Sequence, residues 1–279
     1  RDYVGKNGFR GAVLGLSGGV DSALTLAIAA DALGASAVQA VMMPYRYTAA
    51  ISIEDSRAQA RAMGVAYEVI PIEPMVNATR AALADVFAGL AEDTTEENIQ
   101  SRSRGMLLMA ISNKTGRMVL ATGNKSEMAV GYATLYGDMA GGFAVIKDLY
   151  KTMVYRVARY RNSLAPAIPE RIISRAPSAE LKPNQTDQDT LPPYEVLDAI
   201  IEAYMERDLS PREIVGLGYA EADVRRTVAM LKRSDIRQST GADVLVMPAG
   251  HSCSNQISSG SRAVVSTCGS GSDNSGVAW

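Results

Sequence analysis

Across 279 residues the sequence is 47% hydrophobic and 21% charged, which excludes wholesale disorder and fibrous repeats and leaves room for one large domain or two modest ones. Lys and Arg total 28 against 30 Asp and Glu, so a net charge of −2 supplies no global positive field for nucleic acid or an anionic membrane. No apolar run approaches the ~18 residues that span a bilayer.

In chain order, Ala12 to Leu16 is a short apolar run ending in Ser-Gly-Gly, and Ser22 to Leu33 has the Ala, Leu and Ile richness of a buried helix closed by Gly34. Val38 to Met43 is the next apolar run, stopped by Pro44, and Glu54 to Met63 is patterned as an amphipathic helix that ends at Gly64. Tyr67 to Ile70 and Met118 to Ala121 supply two more short strands, with helices over about Met75 to Leu90 and Glu96 to Asn113 between them. Thr94 and Glu97 have capping-box spacing at the head of the second helix. Strands separated by helices require crossovers, so the expected fold is α/β: a parallel sheet with helices on both faces and ligands at the carboxyl ends of the strands.

Beyond Thr122 the pattern is loop-rich, with Gly131, Gly137, Gly141 and Gly142 clustered, until a helix resumes near Lys151 to Arg161. Ser174 to Pro193 is polar and rich in Pro and Asn, a long loop placed to act as a lid. Helices follow over Pro193 to Glu206, Pro211 to Leu217 and Glu221 to Lys232. From about Gly241 Ser and Gly dominate, and this stretch holds the only His, the only Trp and both Cys. It reads as a flexible tail or as a foreign end, and the division expected is a domain over residues 1–237 followed by a tail over 238–279.

Cys253 and Cys268 match neither a CxxC redox pair nor a zinc ligand set, and the cytosol is the default compartment. The chain opens on Arg1 without a secretory pattern and reads as cut from a longer polypeptide. With His251 the lone imidazole, any chemistry has to rely on other groups.

The sharpest chemical signal is Ser17-Gly18-Gly19-Val20-Asp21-Ser22, set between an apolar strand and a helix. Five fixed positions of this kind arise by chance in a chain of this size on the order of 10⁻³ to 10⁻⁴ of the time. Gly18 and Gly19 allow a tight turn with φ > 0, so that backbone N–H groups point at a phosphate while the helix N-terminus adds positive partial charge. Ser17 and Ser22 add hydroxyls. Asp21 would repel the same phosphate unless a cation lies between them, which makes it a natural magnesium ligand. The plainer alternative is a Gly-rich turn with Asp21 as a helix cap. The pattern is neither GxxxxGK[ST] nor GxGxxG.

This loop resembles the SGGxDS pyrophosphatase loop of ATP-dependent adenylating enzymes, a superfamily that includes NAD, GMP, asparagine and argininosuccinate synthetases and tRNA thiolation enzymes. Glu97-Asn98-Ile99-Gln100-Ser101-Arg102-Ser103-Arg104-Gly105 and Ala121-Thr122-Gly123-Asn124-Lys125-Ser126-Glu127 are similar to two motifs of the NAD synthetases in particular. Gly131 to Asp138, Lys151-Thr152 and Arg175 to Leu181 extend the resemblance in the family's order. Pro183 to Asp189 with Leu191-Pro192-Pro193-Tyr194 is similar to the glutamine-dependent branch, and the resemblance covers roughly Asp2 to Arg237.

The resemblance implies an adenine nucleotide alpha hydrolase fold and ATP-dependent amidation of deamido-NAD, with ammonia supplied directly or by a glutaminase domain absent from this chain. It implies that Gly15, Leu16, Ser17, Gly18, Gly19, Val20, Asp21 and Ser22 hold the ATP phosphates, joined by Thr122 near the α-phosphate and by Lys151 and Ser178. Asp21, Thr122 and Lys151 are the expected catalytic set; Asn98 and Glu127 are expected on deamido-NAD; Asp21 and Glu127 are expected on magnesium. A homo-oligomer is also implied, with neither nucleic acid nor membrane as a partner.

Each residue has a plainer role open to it. Thr122 suits a strand terminus, Asn98 a helix cap, Glu127 and Lys151 solvated helix charges, and Ser178 a loop hydroxyl. Arg102 and Arg104 are two apart and do not share a helix face, so both stay outside the core set. Leu135 stands where ammonia-dependent members carry a lysine, which suits the glutamine-dependent branch. The basic stretch expected after the last helix is Asp235-Ile236-Arg237-Gln238 here, leaving a substrate-contacting lysine without a match. Alternative functions are another adenylating enzyme, such as a GMP synthetase or a tRNA-modifying adenylase, and an inactive nucleotide-binding fragment.

Overall fold

The computed structural model describes residues 1–240, with side chains placed through Ser234. Of the expected tail over residues 238–279, the part from residue 241 on, with His251, Cys253 and Cys268, lies outside the described residues.

Five parallel strands form one sheet: β1 Ala12–Gly15, β2 Val38–Met42, β3 Ala66–Val69, β4 Met118–Ala121 and β5 Phe143–Ala144, in the order β3-β2-β1-β4-β5. The helices are α1 Asp2–Lys6, α2 Val20–Leu33, α3 Ala50–Ala62, α4 Glu73–Ala82, α5 Thr94–Thr115, α6 Lys125–Val130, α7 Lys151–Leu164, α8 Glu170–Ser174, α9 Tyr194–Met205, α10 Pro211–Gly216 and α11 Glu221–Thr240. The α/β expectation is met. Alternation along β1 explains why the sheet is covered twice. Ala12, Leu14 and Leu16 pack with Leu26 and Ala29 of α2 and Ala60 of α3, while Val13 packs with Val41, Val119 and Leu108 of α5. Each fully buried leucine among them contributes roughly 1.5–3 kcal/mol. A further layer joins α2 to α7 and α8 through Leu24, Val154 and Ile172, and α6 to α9 and α11 through Val130, Leu197 and Leu231.

Several boundaries differ from the sequence expectation for identifiable reasons. The helix expected through Leu90 stops at Ala82, because Val86 and Leu90 are 70% and 71% exposed and offer the stretch no buried face. The capping box of α5 lies one residue earlier than Thr94 and Glu97: the Asp93 carboxylate accepts the Thr95 N–H at 2.7 Å, and Glu96 accepts the Asp93 N–H at 2.9 Å. Two frames with capping-box spacing overlap there, and the charged acceptor interacts better with the helix dipole. The region expected to be loop-rich after Thr122 holds α6, capped by Asn124, and the two-residue β5, both too short to show a period. Helix α11 runs to Thr240, eight residues past Lys232.

Candidate active site

Strands β1, β2 and β3 progress to one side of the sheet and β4 lies on the other side of β1, so the order in which strands are added reverses between β1 and β4, which run parallel. In parallel α/β sheets the crevice beyond the carboxyl ends of two such strands is where ligands bind. A cleft of about 490 Å³ lies there, and every residue singled out from the sequence, from Gly15 to Ser22 and at Asn98, Thr122, Glu127, Lys151 and Ser178, lines it.

The loop after β1 is built around Gly18. Its φ is +84°, and a Cβ there would lie 2.5 Å from the Ser52 carbonyl oxygen, so the loop sits flat against the start of α3. The expectation of positive φ at both glycines is corrected at Gly19, which is the extended N-cap of α2 with φ −91°. Ser22 turns inward as well. Its hydroxyl donates to Gly19 O at 3.0 Å and accepts the Ser17 N–H at 3.2 Å, so it closes the loop, while Ser17 is exposed. Leu16 and Val20 are buried in the core.

Asp21, Glu127 and Lys151 meet across more than a hundred residues of chain. Lys151 Nζ lies 2.5 Å from Asp21 Oδ2 and 2.8 Å from Glu127 Oε1, and the Tyr194 ring centroid is 5.2 Å away. Asp21 Oδ1 accepts from Asn124 Nδ2 at 2.9 Å. The backbone around Lys151 is pinned: its N–H donates to Ser126 Oγ at 2.8 Å, and buried Asp198 of α9 accepts from Ser126 Oγ at 2.5 Å and from the Thr152 N–H at 2.9 Å. One carboxylate thereby ties the starts of α6 and α7 together and aims the lysine inward. Asp187 accepts from Tyr194 at 2.7 Å and Tyr132 at 3.3 Å, which orients the ring against Lys151.

Burial opposes the charge on Lys151, but the two carboxylates beside it outweigh burial and hold its pKa well above the usual lysine value. Glu127 is pushed up from 4.5 to about 7 by burial, with Lys151 opposing and Asp21 reinforcing the shift. A carboxyl raised on folding binds its proton more tightly in the folded state, so its contribution to stability falls as pH rises through this window. In the metal-free protein, Glu127→Gln is expected to flatten the decline of Tm between about pH 4.5 and 7. Equal slopes for the wild type and the variant in that window would refute this origin.

Two carboxylates offering only oxygen suit a hard divalent cation, and magnesium takes such ligands one or two at a time with phosphate and water completing the shell. Among the described residues no group of three or more His, Cys, Asp or Glu is arranged to hold a metal by itself. The donor set fits magnesium carried in with a phosphate ligand.

The other expected residues have defined surroundings. Thr122 follows β4 directly and is half-buried at the cleft. Asn98 Oδ1 accepts from Thr134 Oγ1 at 2.9 Å, so Asn98 serves the cleft wall, and the helix cap is Asp93. Ser178 Oγ donates to Gln185 O at 2.6 Å and accepts the Glu180 N–H at 3.1 Å, both within its own loop. That loop, the expected lid, lies tied along the rim. Glu180 accepts from Ser52 Oγ at 2.6 Å and the Ala49 N–H at 3.2 Å, Arg175 donates to Ser52 Oγ at 2.9 Å, and Gln100 Nε2 donates to Leu181 O at 2.9 Å.

The sequence reading missed Arg104. Its Nε donates to Met43 O at 3.0 Å and its side chain lines the cleft, where burial, opposed by the charges of Glu180 and Asp138, pushes it down to about 10. Arg102 turns outward and donates to Leu135 O at 3.2 Å. The spacing says that the two diverge, but which one faces the cleft depends on where α5 packs. Asn124, Asp187 and Tyr194 were also missed, although all three fall within motifs that carry the family resemblance.

The family model for NAD synthase matches residues 1–240. A glutamine-dependent NAD(+) synthetase of Acinetobacter baylyi is 57% identical over 244 residues, covering 87% of this chain and 45% of that protein. The structure of the glutamine-dependent NAD+ synthetase of Acinetobacter baumannii in complex with ADP is similar with 52% identity and a TM-score of 0.62, over 86% of this chain and 44% of that one. An NMN synthetase structure from Francisella tularensis, 24% identical with a TM-score of 0.73 over 89% of this chain and 93% of that one, shares the fold. The chain spans about half the length of the glutamine-dependent relatives it matches. With the Gly-rich loop, the converging carboxylates and this match over every described residue, the chain belongs to the NAD synthase family.

Proposed function

We propose that this chain is the synthetase part of a glutamine-dependent NAD synthetase and amidates deamido-NAD at the expense of ATP. The domain would be residues 1–237, and a glutaminase domain elsewhere in a longer polypeptide would release the ammonia. The observation that carries the reading is the meeting of Lys151, Asp21 and Glu127 beside the Ser17–Ser22 loop at the β1/β4 crevice, in a member of the NAD synthase family. The Acinetobacter baumannii relative is described in complex with ADP, which supports an adenine nucleotide as a ligand of this chain.

In this mechanism the nicotinate carboxylate of deamido-NAD attacks the α-phosphorus of ATP, the bond to the β-phosphate oxygen breaks, and pyrophosphate leaves. Ammonia then attacks the acyl carbon of the mixed anhydride, AMP leaves with the bonding electrons, and a proton is lost from nitrogen. No protein nucleophile is needed, so acceleration comes from positioning and charge. Backbone N–H groups of the loop and the start of α2 take the departing phosphates, with Gly18 allowing the close turn. Thr122 donates to a non-bridging oxygen near the α-phosphate. Lys151 neutralises charge on the leaving group from a position fixed by Ser126 and Asp198. Asn98 and Glu127 would contact deamido-NAD. Asp21 and Glu127 would hold magnesium, which when bound supplies positive charge that offsets the charge developing on the pyrophosphate.

The deciding experiment supplies ammonium, ATP, magnesium and deamido-NAD without glutamine and follows AMP, pyrophosphate and amide. Equal yields of the three are expected. Activity on a xanthine nucleotide instead would identify a GMP synthetase. A folded, ATP-binding protein that is silent toward both substrates would be the inactive fragment.

A further inference from the structure

Asp21 and Glu127 lie in the first turns of α2 and α6, and Lys151 is the first residue of α7, so three helix starts converge on one ammonium group. That group uses the inward oxygen of each carboxylate, at 2.5 and 2.8 Å, and Asn124 holds the second oxygen of Asp21. The lysine side chain is 3% exposed, with the Tyr194 ring on one side. The carboxylate pair therefore already has an internal cation. A divalent ion arriving alone meets a positive charge at contact distance and finds both inward oxygens engaged. To bridge the two inward oxygens it has to displace the ammonium, and the lysine is then a buried charge without a partner, which is strongly unfavourable. A polyphosphate in the adjoining loop removes that difficulty by giving Lys151 a new anion. The protein carboxylates are also too few to complete a metal shell without it.

We propose that Lys151 is an internal counter-ion that bars free divalent metal from Asp21 and Glu127 and admits it only together with a polyphosphate. This deepens the function proposed above and rests on it in taking the two carboxylates as metal ligands and the adjoining loop as the polyphosphate site. Metal and nucleotide then strengthen each other's binding by the same factor, because coupling between two ligands is reciprocal.

The test titrates the 279-residue chain with Mn²⁺ alone, following free Mn²⁺ by electron paramagnetic resonance with no nucleotide and no turnover. Wild type is expected to take up no Mn²⁺ in the micromolar range. Lys151→Met is expected to bind Mn²⁺ on the order of a hundredfold more tightly, since a unit charge at contact distance has been removed. The gain is expected to vanish in Lys151→Met combined with Asp21→Asn. Saturable micromolar binding of Mn²⁺ to wild type overturns the proposal, and so does a folded Lys151→Met protein without the gain. If Lys151→Met does not fold, Lys151→Gln takes its place with the same two outcomes, and the wild-type titration requires no variant. The experiment is independent of catalysis. A protein that excludes Mn²⁺ as expected but forms no AMP keeps this inference and loses the proposed reaction, whereas an active protein that binds free Mn²⁺ loses the inference alone.

Discussion

Asp21→Asn is expected to fold as the wild type does and to lose on the order of 10²- to 10³-fold in the rate of AMP formation from ATP and deamido-NAD. The substitution keeps the size of the side chain and an oxygen to accept from Asn124, which lies 2.9 Å away. It removes the charge that faces Lys151 at 2.5 Å and, in the proposed mechanism, one of two carboxylates available to magnesium. Lys151 retains Glu127 at 2.8 Å, so the ammonium is not stranded and the fold is spared most of the penalty for a lone buried charge. Two measurements decide the matter: a thermal melt, and initial rates at saturating ATP and deamido-NAD. Full turnover by a protein with a wild-type melt would remove Asp21 from the chemistry and with it the proposed role of the loop.

Gly18→Ala is the second large effect, and it separates two glycines that look alike in the sequence. At Gly18 a Cβ would meet the Ser52 backbone carbonyl at 2.5 Å, and φ is +84°. Neither obstacle is the far end of a flexible side chain. Left-handed strain of roughly 1–2 kcal/mol and overpacking of about 1–3 kcal/mol predict a Tm lower by roughly 5–15 °C in a domain of this size. ATP binding should be lost with it, because the loop cannot keep its place against α3. At Gly19 the backbone is extended, and an added Cβ would meet only Ser17 Oγ at an ordinary 3.5 Å. Gly19→Ala is therefore expected to leave Tm within about 2 °C of wild type, as substitutions without strain or overpacking do. Equal destabilisation by the two substitutions, seen in parallel melts, would mean that the contact with Ser52 does not govern the loop.

Legibility along the chain follows the length over which each feature is encoded. The helix from Val20 to Leu33 was readable to within two residues, because its apolar run is continuous and Gly34 ends it in a conformation suited to glycine. Strand β4 was readable at both ends, as an uninterrupted apolar run that is buried at every position. The stretch from Ala84 to Leu90 looked equally helical and is not, since an apolar pattern becomes a helix only where another surface covers it. Helix α6 escaped notice although it carries Glu127. Its six residues are too few to show a repeat, and only the spacing of Asn124 to Glu127, a side-chain cap at 3.0 Å, marked its start.

Sequence alone determined the strand, loop and helix around Ser17 to Ser22 and the chemical character of that loop, because turn chemistry, capping and short apolar runs act between neighbours. Through the family resemblance it also named Asp21 with Glu127 on magnesium and Asp21 with Lys151 among the catalytic residues, without their mutual geometry. Their meeting on a single ammonium group was decided by the tertiary structure. The parallel pairing of β1 with β4 sets the two carboxylate-bearing helix starts side by side, and Asp198 of α9 ties the start of α7 against them. The same holds for Arg104, whose inward turn depends on the packing of α5 across the sheet. Contacts between residues about a hundred positions apart leave no periodic trace in a single sequence, since they arise from the order in which strands pair and from burial shared among several elements.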